Sequence, residues 1–354
     1  MKVLMIGGTG NISSACTKRA LAKNMEVFHL NRGNRKDRTP PGVTSLQADA
    51  HNPAEVKKAV AGMKFDSVVQ FLATEPDHIK ADIEVFRGIT AQYVFISSAT
   101  VYKRGPFSPI ITESTPLENP YWEYAQLKID CEKYLREKSA GSGAGEAFPY
   151  TIIRPSHTYD NGWLLWQFVA GNFGLGWRIL NGMPVVIGGD GQALWTVTHA
   201  SDFAKGLVGL LGNPAAIGEA FHITSDEFLT WDTIIKMAGA ALGVEPKIVH
   251  IPSEFIMKVL PNRGVNLLGD KACTSIFDNS KIKRFVPGFV QEVPYAEGVR
   301  RSVEWFNAHP ELKVPNEELN TEFVALLDYW EKAMAHAVYF PSTARSSLYS
   351  RNGR

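Results

Sequence analysis

The chain has 354 residues, of which 45% are apolar and 21% charged, and its formal net charge is +1. That composition excludes a disordered chain and fits roughly two folded domains at ~150 residues each. Near-neutral charge gives no broad attraction for nucleic acid or a membrane surface. No run approaches the ~20 apolar residues of a membrane span. The short N-terminal apolar stretch leads straight into glycines, which is not a signal-peptide pattern. Cys16, Cys131 and Cys273 lie far apart, with no metal-ligand spacing. The expectation is a reduced, cytoplasmic setting and no metal site.

Along the first hundred residues short apolar strands alternate with helices. Strands are expected over 2–6, 26–30, 43–47, 67–72 and 93–96, and helices over 13–23 and 53–61. Strands apolar throughout, separated by helices, indicate a parallel sheet covered on both faces. The stretch 73–87 reads as short and without a full helix. A proline-rich loop spans about 103–120, a long helix 121–138, and a Gly/Ala connector 140–147. A strand follows over 150–154. Residues 163–187 are rich in Trp, Phe and Gly, as in a pocket wall or a small lobe. Strand character returns at 218–224. "TWDTIIKMAGAALG" reads as a helix with Thr230 as N-cap and Gly243 just past its end. The last stretch is Ser/Arg-rich and reads as a flexible tail over 336–354.

The fold class expected is α/β, a Rossmann-type doubly wound parallel sheet with a smaller, discontinuous substrate lobe. Residues 1–158, completed by about 193–224, form the dinucleotide domain in this reading. Residues 159–192 and 225–335 form the lobe.

"GGTGNIS" follows a strand and opens a helix, the context of a dinucleotide-binding turn. Gly7 and Gly10 let the chain turn tightly and let a pyrophosphate approach a helix N-terminus. Ser13 stands where a third glycine is usual and is small enough for close packing. The second strand ends in "LNRGNRK". An NAD-selective site usually places an acid there, whereas this chain has Asn31 and Arg32, with Arg35 behind. A guanidinium suits a 2′-phosphate, so NADP is favoured over NAD. Asp49 in "QADA" is placed either to accept from the adenine amino group or as a surface turn residue.

"SSATVY" and "YWEYAQLK" carry the chemistry. Tyr124 and Lys128 are four apart and share a helix face. Ser98 sits at the carboxyl edge of the fifth strand, where open α/β sheets bind ligands. A tyrosine can give or take a proton at a carbonyl or carbinol oxygen. A nearby ammonium lowers the phenol pKa, and a serine hydroxyl orients the oxygen.

With GGTGNIS, Asp49, SSATVY, YAQLK, IIRPSHTYD, VTHASDFAKGL and FDNSKIKRFVPGF, the chain resembles an extended short-chain dehydrogenase/reductase of the NAD-dependent epimerase/dehydratase kind. The resemblance runs along nearly the whole chain. It implies hydride transfer with Ser98, Tyr124 and Lys128 as catalytic set, Lys128 also holding the cofactor ribose. It implies cofactor contacts from Gly7, Thr9, Gly10, Asn11, Ile12, Asn31, Arg32, Arg35, Asp49, Ala50, Leu72, Ala73, Pro155 and His157. Asp202 and His199 read as structural. The C-terminal motifs resemble a branch that includes chloroplast stem-loop RNA-binding proteins. A non-catalytic RNA-binding or NADP-sensing protein is therefore the alternative to an NAD(P)-dependent oxidoreductase. Reduction, epimerisation and dehydration are not separated. For the substrate the sequence leaves a sugar nucleotide or an aromatic or lipophilic ketone, depending on how many of Trp163, Trp166, Phe168, Phe173, Trp177 and Trp195 face the cleft. Arg178 is the nearest cation for a diphosphate, with Lys281 and Arg284 further on. A homodimer is possible through the Tyr124 helix.

Overall fold

The computed structural model describes residues 1–35, 38–105, 109–139, 147–168 and 172–336. The connector expected over 140–147 and the tail expected over 336–354 fall almost wholly outside these residues. The chain divides into two units, Met1–Pro315 and Asn316–Arg354.

The first unit opens with β1 (Lys2–Ile6), α1 (Asn11–Ala22), β2 (Glu26–Asn31), β3 (Val43–Gln47) and α2 (Pro53–Ala59). It continues through β4 (Ser67–Gln70), α3 (Pro76–Phe86), β5 (Tyr93–Ile96), β6 (Ile110–Ile111), α4 (Glu123–Ser139), β7 (Tyr150–Pro155) and β8 (His157–Tyr159). A helix α5 (Gly174–Leu180) and strands β9 (Val185–Gly188), β10 (Leu194–Trp195) and β11 (Val197–His199) follow. Next come α6 (Ala200–Leu210), β12 (Ala220–Ile223), β13 (Leu229–Thr230), α7 (Trp231–Leu242) and β14 (Ile248–Ile251). The unit closes with α8 (Ser253–Val259), α9 (Pro261–Asn266), β15 (Ile276–Phe277), α10 (Ser280–Phe285) and α11 (Tyr295–Ala308). In the second unit the described structure is α12 (Glu317–Ala335), whose N-cap Asn316 accepts from the Leu319 N–H.

Seven strands form one sheet in the order β12-β7-β5-β4-β1-β2-β3. Every neighbouring pair is parallel. Chain order reverses between β1 and β4, the switch point beside which open α/β sheets hold ligands. Alternate residues of β1 serve opposite cores. Val3 and Met5 pack with Phe203 and Leu207 of α6. Leu4 and Ile6 pack with Val56 of α2 and Ile79 and Phe86 of α3. This is why the strands read as continuous apolar runs rather than as alternating ones.

One expectation is overturned here. Residues 76–86 form an 11-residue helix. Pro76 starts it, where the missing N–H is harmless, and Ile79, Ile83 and Phe86 repeat at helical spacing on its buried face. α7 follows the reading closely: the Thr230 hydroxyl caps the Thr233 N–H, and Gly243 ends the helix at φ +73°. The remaining strands pair in twos: β8 with β11, β9 with β14 and β6 with β15 in parallel, β10 with β13 antiparallel. Among the described residues no helix is long and apolar enough to cross a membrane. Nor does any group of three or more His, Cys, Asp or Glu among them suit a metal ion.

Candidate functional site

The glycine turn is built by close approach. Gly7 has φ +84°, and a Cβ there would lie 2.6 Å from Leu72 Cγ. A Cβ on Gly8 would lie 2.4 Å from the His29 ring. That ring is fully buried in β2 and tied by Nε2 to Thr17 Oγ1 at 2.8 Å. Ser13 is more than a small stand-in for glycine. Its hydroxyl donates to the Gly7 carbonyl at 2.7 Å and accepts the Gly10 N–H at 2.8 Å. One side chain thus closes the turn from inside the first turn of α1.

A cavity of about 500 Å³ opens beside this turn. Gly7, Thr9, Gly10, Asn31, Arg32, Arg35, Asp49, Ala50 and Leu72 all line it. Arg32 and Arg35 are exposed. No ion pair engages either among the described residues. A cradle that any side chain on Gly7 would fill, at a helix N-terminus and flanked by two cations, fits a dinucleotide phosphate. Asp49 serves as a turn residue, its carboxylate accepting the His51 N–H at 3.0 Å, while also lining the cavity. His51 lines it too and stacks on His78 with ring centroids 4.0 Å apart. No motif pointed to His51.

Ile12, Pro155 and His157 line a second cavity of about 360 Å³, together with Ser98 and Tyr124. Asn11 and Ala73 line neither. Asn11 Nδ2 donates to the Thr158 carbonyl at 3.2 Å, tethering α1 to β8. The Ala73 carbonyl accepts from Lys128.

Ser98 caps the short 3-10 turn Ala99–Val101. Its oxygen accepts the Thr100 N–H at 3.2 Å and the Thr100 hydroxyl at 2.9 Å. With those positions filled, its own proton is the one left to donate, and it shares the cavity with the Tyr124 phenol. Burial pushes the phenol above its ordinary value, Ser98 pulls it down, and the Asp270 charge pushes it up. The Lys128 ammonium lies 5.7 Å from the Tyr124 ring centroid and is engaged elsewhere. It donates to the carbonyls of Ala73 at 2.6 Å and Ile96 at 2.9 Å, at the ends of β4 and β5. Burial brings it down to about 8.

What holds this helix in place is Glu132, one turn beyond Lys128. It is fully buried and accepts from Arg154 of β7 at 2.9 and 2.6 Å and from Ser97 Oγ at 2.6 Å. Burial alone would raise its pKa, but the paired guanidinium reverses that and holds the carboxylate ionised. Tyr124, Lys128 and Glu132 form one stripe at i, i+4 and i+8. The third member locks the stripe onto the sheet end that carries Ser98.

The walls of the second cavity resolve the aromatic segment. Trp166, Phe168 and Trp195 face it, joined by Trp122 from the loop before α4. Phe173 instead packs on Phe306 at 4.8 Å. Trp163 and Trp177 do not line it. Arg178 is also not in the cavity. It is buried in α5 with Nε and a terminal nitrogen on the Pro184 carbonyl at 2.9 and 2.7 Å. Lys281 is paired with Glu219 at 2.7 Å, and it and Arg284 line a separate surface cleft. The charges at the reacting cavity are Asp270 and Lys271, with Arg104 behind them. They sit in a one-turn π-helix and a loop that show no recognisable sequence pattern. Asp202 accepts the Glu292 and Val293 N–H groups, the latter at 2.9 Å, clasping α6 to that segment. His199 is the N-cap of α6.

Residues 3–224 match the model of the NAD dependent epimerase/dehydratase family. The 2′-dehydrokanamycin reductase of Streptomyces kanamyceticus is 26% identical over 289 residues, covering 82% of this chain and 80% of that protein. The chloroplast stem-loop binding protein of 41 kDa b of Arabidopsis thaliana is 26% identical over 273 residues, covering 72% and 67%. Among solved structures, the Thermus thermophilus UDP-glucose 4-epimerase in complex with NAD superposes with a TM-score of 0.67 at 20% identity, over 87% of this chain and 99% of that one. At that identity the likeness concerns the fold.

Proposed function

The chain belongs to the NAD dependent epimerase/dehydratase family, and from that premise we propose that it is an NADP-using reductase of a compact carbonyl substrate. The observation that carries the reading is the convergence of Tyr124 and Ser98 on one indole-walled cavity, with the Lys128 ammonium beneath the tyrosine ring. Gly7, Thr9, Gly10, Asn31, Arg32, Arg35, Asp49, Ala50 and Leu72 would hold the adenosine half of the cofactor. Ile12, Pro155 and His157 would hold the nicotinamide half, and Lys128 the ribose. Residues 1–158 with about 193–224 would be the dinucleotide domain, and 159–192 with 225–335 the substrate lobe. NADPH, when bound, supplies the hydride.

Tyr124 supplies the proton. A buried phenol held above its ordinary pKa is protonated at neutral pH, the form that reduction of a carbonyl oxygen starts from. The Ser98 proton, freed by the two bonds its oxygen accepts from Thr100, is positioned to orient that same oxygen. The phenolate left behind is reprotonated before the next turnover. A protonated resting phenol suits a reduction, whereas epimerisation needs both directions in one turnover. The small aromatic cavity supports a compact substrate over a sugar nucleotide.

Two measurements test this reading. In NADPH oxidation with a panel of cyclic and aromatic carbonyls, Tyr124→Phe is expected to lower kcat by about 10²–10⁴-fold while NADPH binding persists. Unchanged turnover would sink the assignment. In fluorescence titrations the wild type is expected to bind NADPH more tightly than NADH, and Arg32→Ala to weaken NADPH by about tenfold while sparing NADH. Tighter binding of NADH by the wild type would refute the NADP assignment.

A further inference from the structure

The reacting cavity carries an unbalanced charge. Asp270 sits between two cations: one carboxylate oxygen is 3.1 Å from an Arg104 terminal nitrogen, the other 3.2 Å from Lys271 Nζ. All three side chains are at least nine-tenths buried. Arg104 also donates to the Ala99 carbonyl at 3.0 Å and to the Ser275 hydroxyl, with its face over Trp195 and Phe277, while its buried Nε has no hydrogen-bond partner among the described residues. Besides Asp270, the Lys271 ammonium meets only neutral groups among the described residues, the Asn266 side-chain oxygen at 2.8 Å and the Trp122 ring at 5.7 Å. The cluster therefore sums to +1. Asp270 is the one acid among the described lining residues of the cavity. His157 adds no charge, because burial and the neighbouring Lys271 ammonium hold its pKa down to about 3.

Donors also outnumber acceptors there. Trp195 Nε1 is buried with no hydrogen-bond partner among the described residues. The Gln167 amide, which lines the cavity, is already engaged at both ends by the backbone of Gly188. A buried net positive charge at a cavity that also holds an unpaired N–H donor is costly as it stands, and a bound anion would offset it.

We propose that this cavity takes a monoanionic substrate, a small cyclic or aromatic carbonyl compound bearing one carboxylate, with Lys271 as the residue that selects for the negative charge. The indole walls suit a flat ring. One net positive charge in a cavity of about 360 Å³ does not suit a diphosphate. A cationic substrate meets only Asp270, whose two oxygens are already taken. The inference rests on the reading of Tyr124 and Ser98 as the reacting site, and its test separates the two.

The NADP-loaded protein is titrated calorimetrically with benzoate, benzamide and benzylamine. Benzoate is expected to bind at least about tenfold more tightly than benzamide, with benzylamine weaker still. Lys271→Met and Lys271→Gln are expected to abolish the preference, and Lys271→Arg to keep it. Equal binding of benzoate and benzamide by the wild type overturns the proposal, as does the tightest binding going to benzylamine or a preference that survives both neutral variants. Tyr124→Phe is expected to retain the benzoate preference. Loss of the preference in a wild type whose turnover still depends on Tyr124 overturns the anion assignment alone. A Tyr124-independent turnover with the preference intact overturns the reductase reading alone.

Discussion

Replacing Ser13 tests whether the third small residue of the turn is a spacer or a lock. Its hydroxyl makes two hydrogen bonds to backbone groups three and six residues earlier, at 2.8 and 2.7 Å, inside the protein. Each such bond contributes roughly 0.5–1.5 kcal/mol net, and a buried group left unpaired costs about 1–3 kcal/mol. Ser13→Ala should therefore lower unfolding stability by about 2 kcal/mol. Ser13→Gly restores the usual three-glycine pattern but loses the same two bonds. It also places glycine in the first turn of a helix, which costs roughly a further 0.5–1 kcal/mol. The expected order of urea midpoints is wild type, then alanine, then glycine, with unchanged m-values. NADPH affinity should fall in the same order, because a loosened turn must be re-ordered on binding. A spacer makes the opposite prediction: Ser13→Gly equal to wild type in both assays. That result would refute the lock.

Glu132→Gln removes the charge that pairs with buried Arg154. It should destabilise by about 3 kcal/mol or more, and should lower kcat by shifting Tyr124 while leaving the adenosine cavity intact. A variant with wild-type melting and wild-type turnover would remove Glu132 from the positioning role. Acid should weaken the fold through His29, whose burial brings its pKa down to about 4 from 6.5. The unfolded chain takes up the proton that the folded ring refuses. The stabilisation is complete above pH 6.5 and is lost as pH falls towards 4, by about 3 kcal/mol in all. Asp82 opposes this, since burial raises its pKa to about 6, and its protonated folded form favours the native state as pH drops through that range. Urea midpoints taken between about pH 7 and 5 should fall less steeply in His29→Gln than in wild type. Equal slopes would discard His29 as the cause.

Local chemistry made much of this protein legible in one dimension. β1 and β5 lie on the residues expected, because strands buried on both faces are apolar without interruption and are bounded by turns; β3, the half-exposed edge strand, also falls on 43–47. Thr230 and Gly243 mark the two ends of α7, because capping is a local event. Nine of the residues expected to meet the cofactor line one cavity. They lie in the turn after β1 and at the ends of β2, β3 and β4, and parallel strands bring such ends to one edge. The helix at 76–86 is legible in Pro76 at its first position and in Ile79, Ile83 and Phe86 at helical spacing, and the expectation of a stretch without a full helix passes over that signal.

The substrate side was decided by tertiary structure. Arg178, a free cation on paper, is folded back onto the carbonyl of Pro184. Asp270 and Lys271 lie more than 140 residues from Tyr124 and enter the cavity from a π-helical turn. Glu132 carries no motif, and its place is set by Arg154, on a strand beyond the connector, which closes onto it. Sequence alone determined the strands of the central sheet, the caps of α7 and the glycine turn, and marked Ser98, Tyr124 and Lys128 as candidates, since each depends on neighbours within a few residues or on strand ends that the fold class brings together. Which aromatics face the cavity, which charges remain unpaired inside it and how the phenol titrates depend on burial and on partners far away in the chain, and only the folded molecule supplies those.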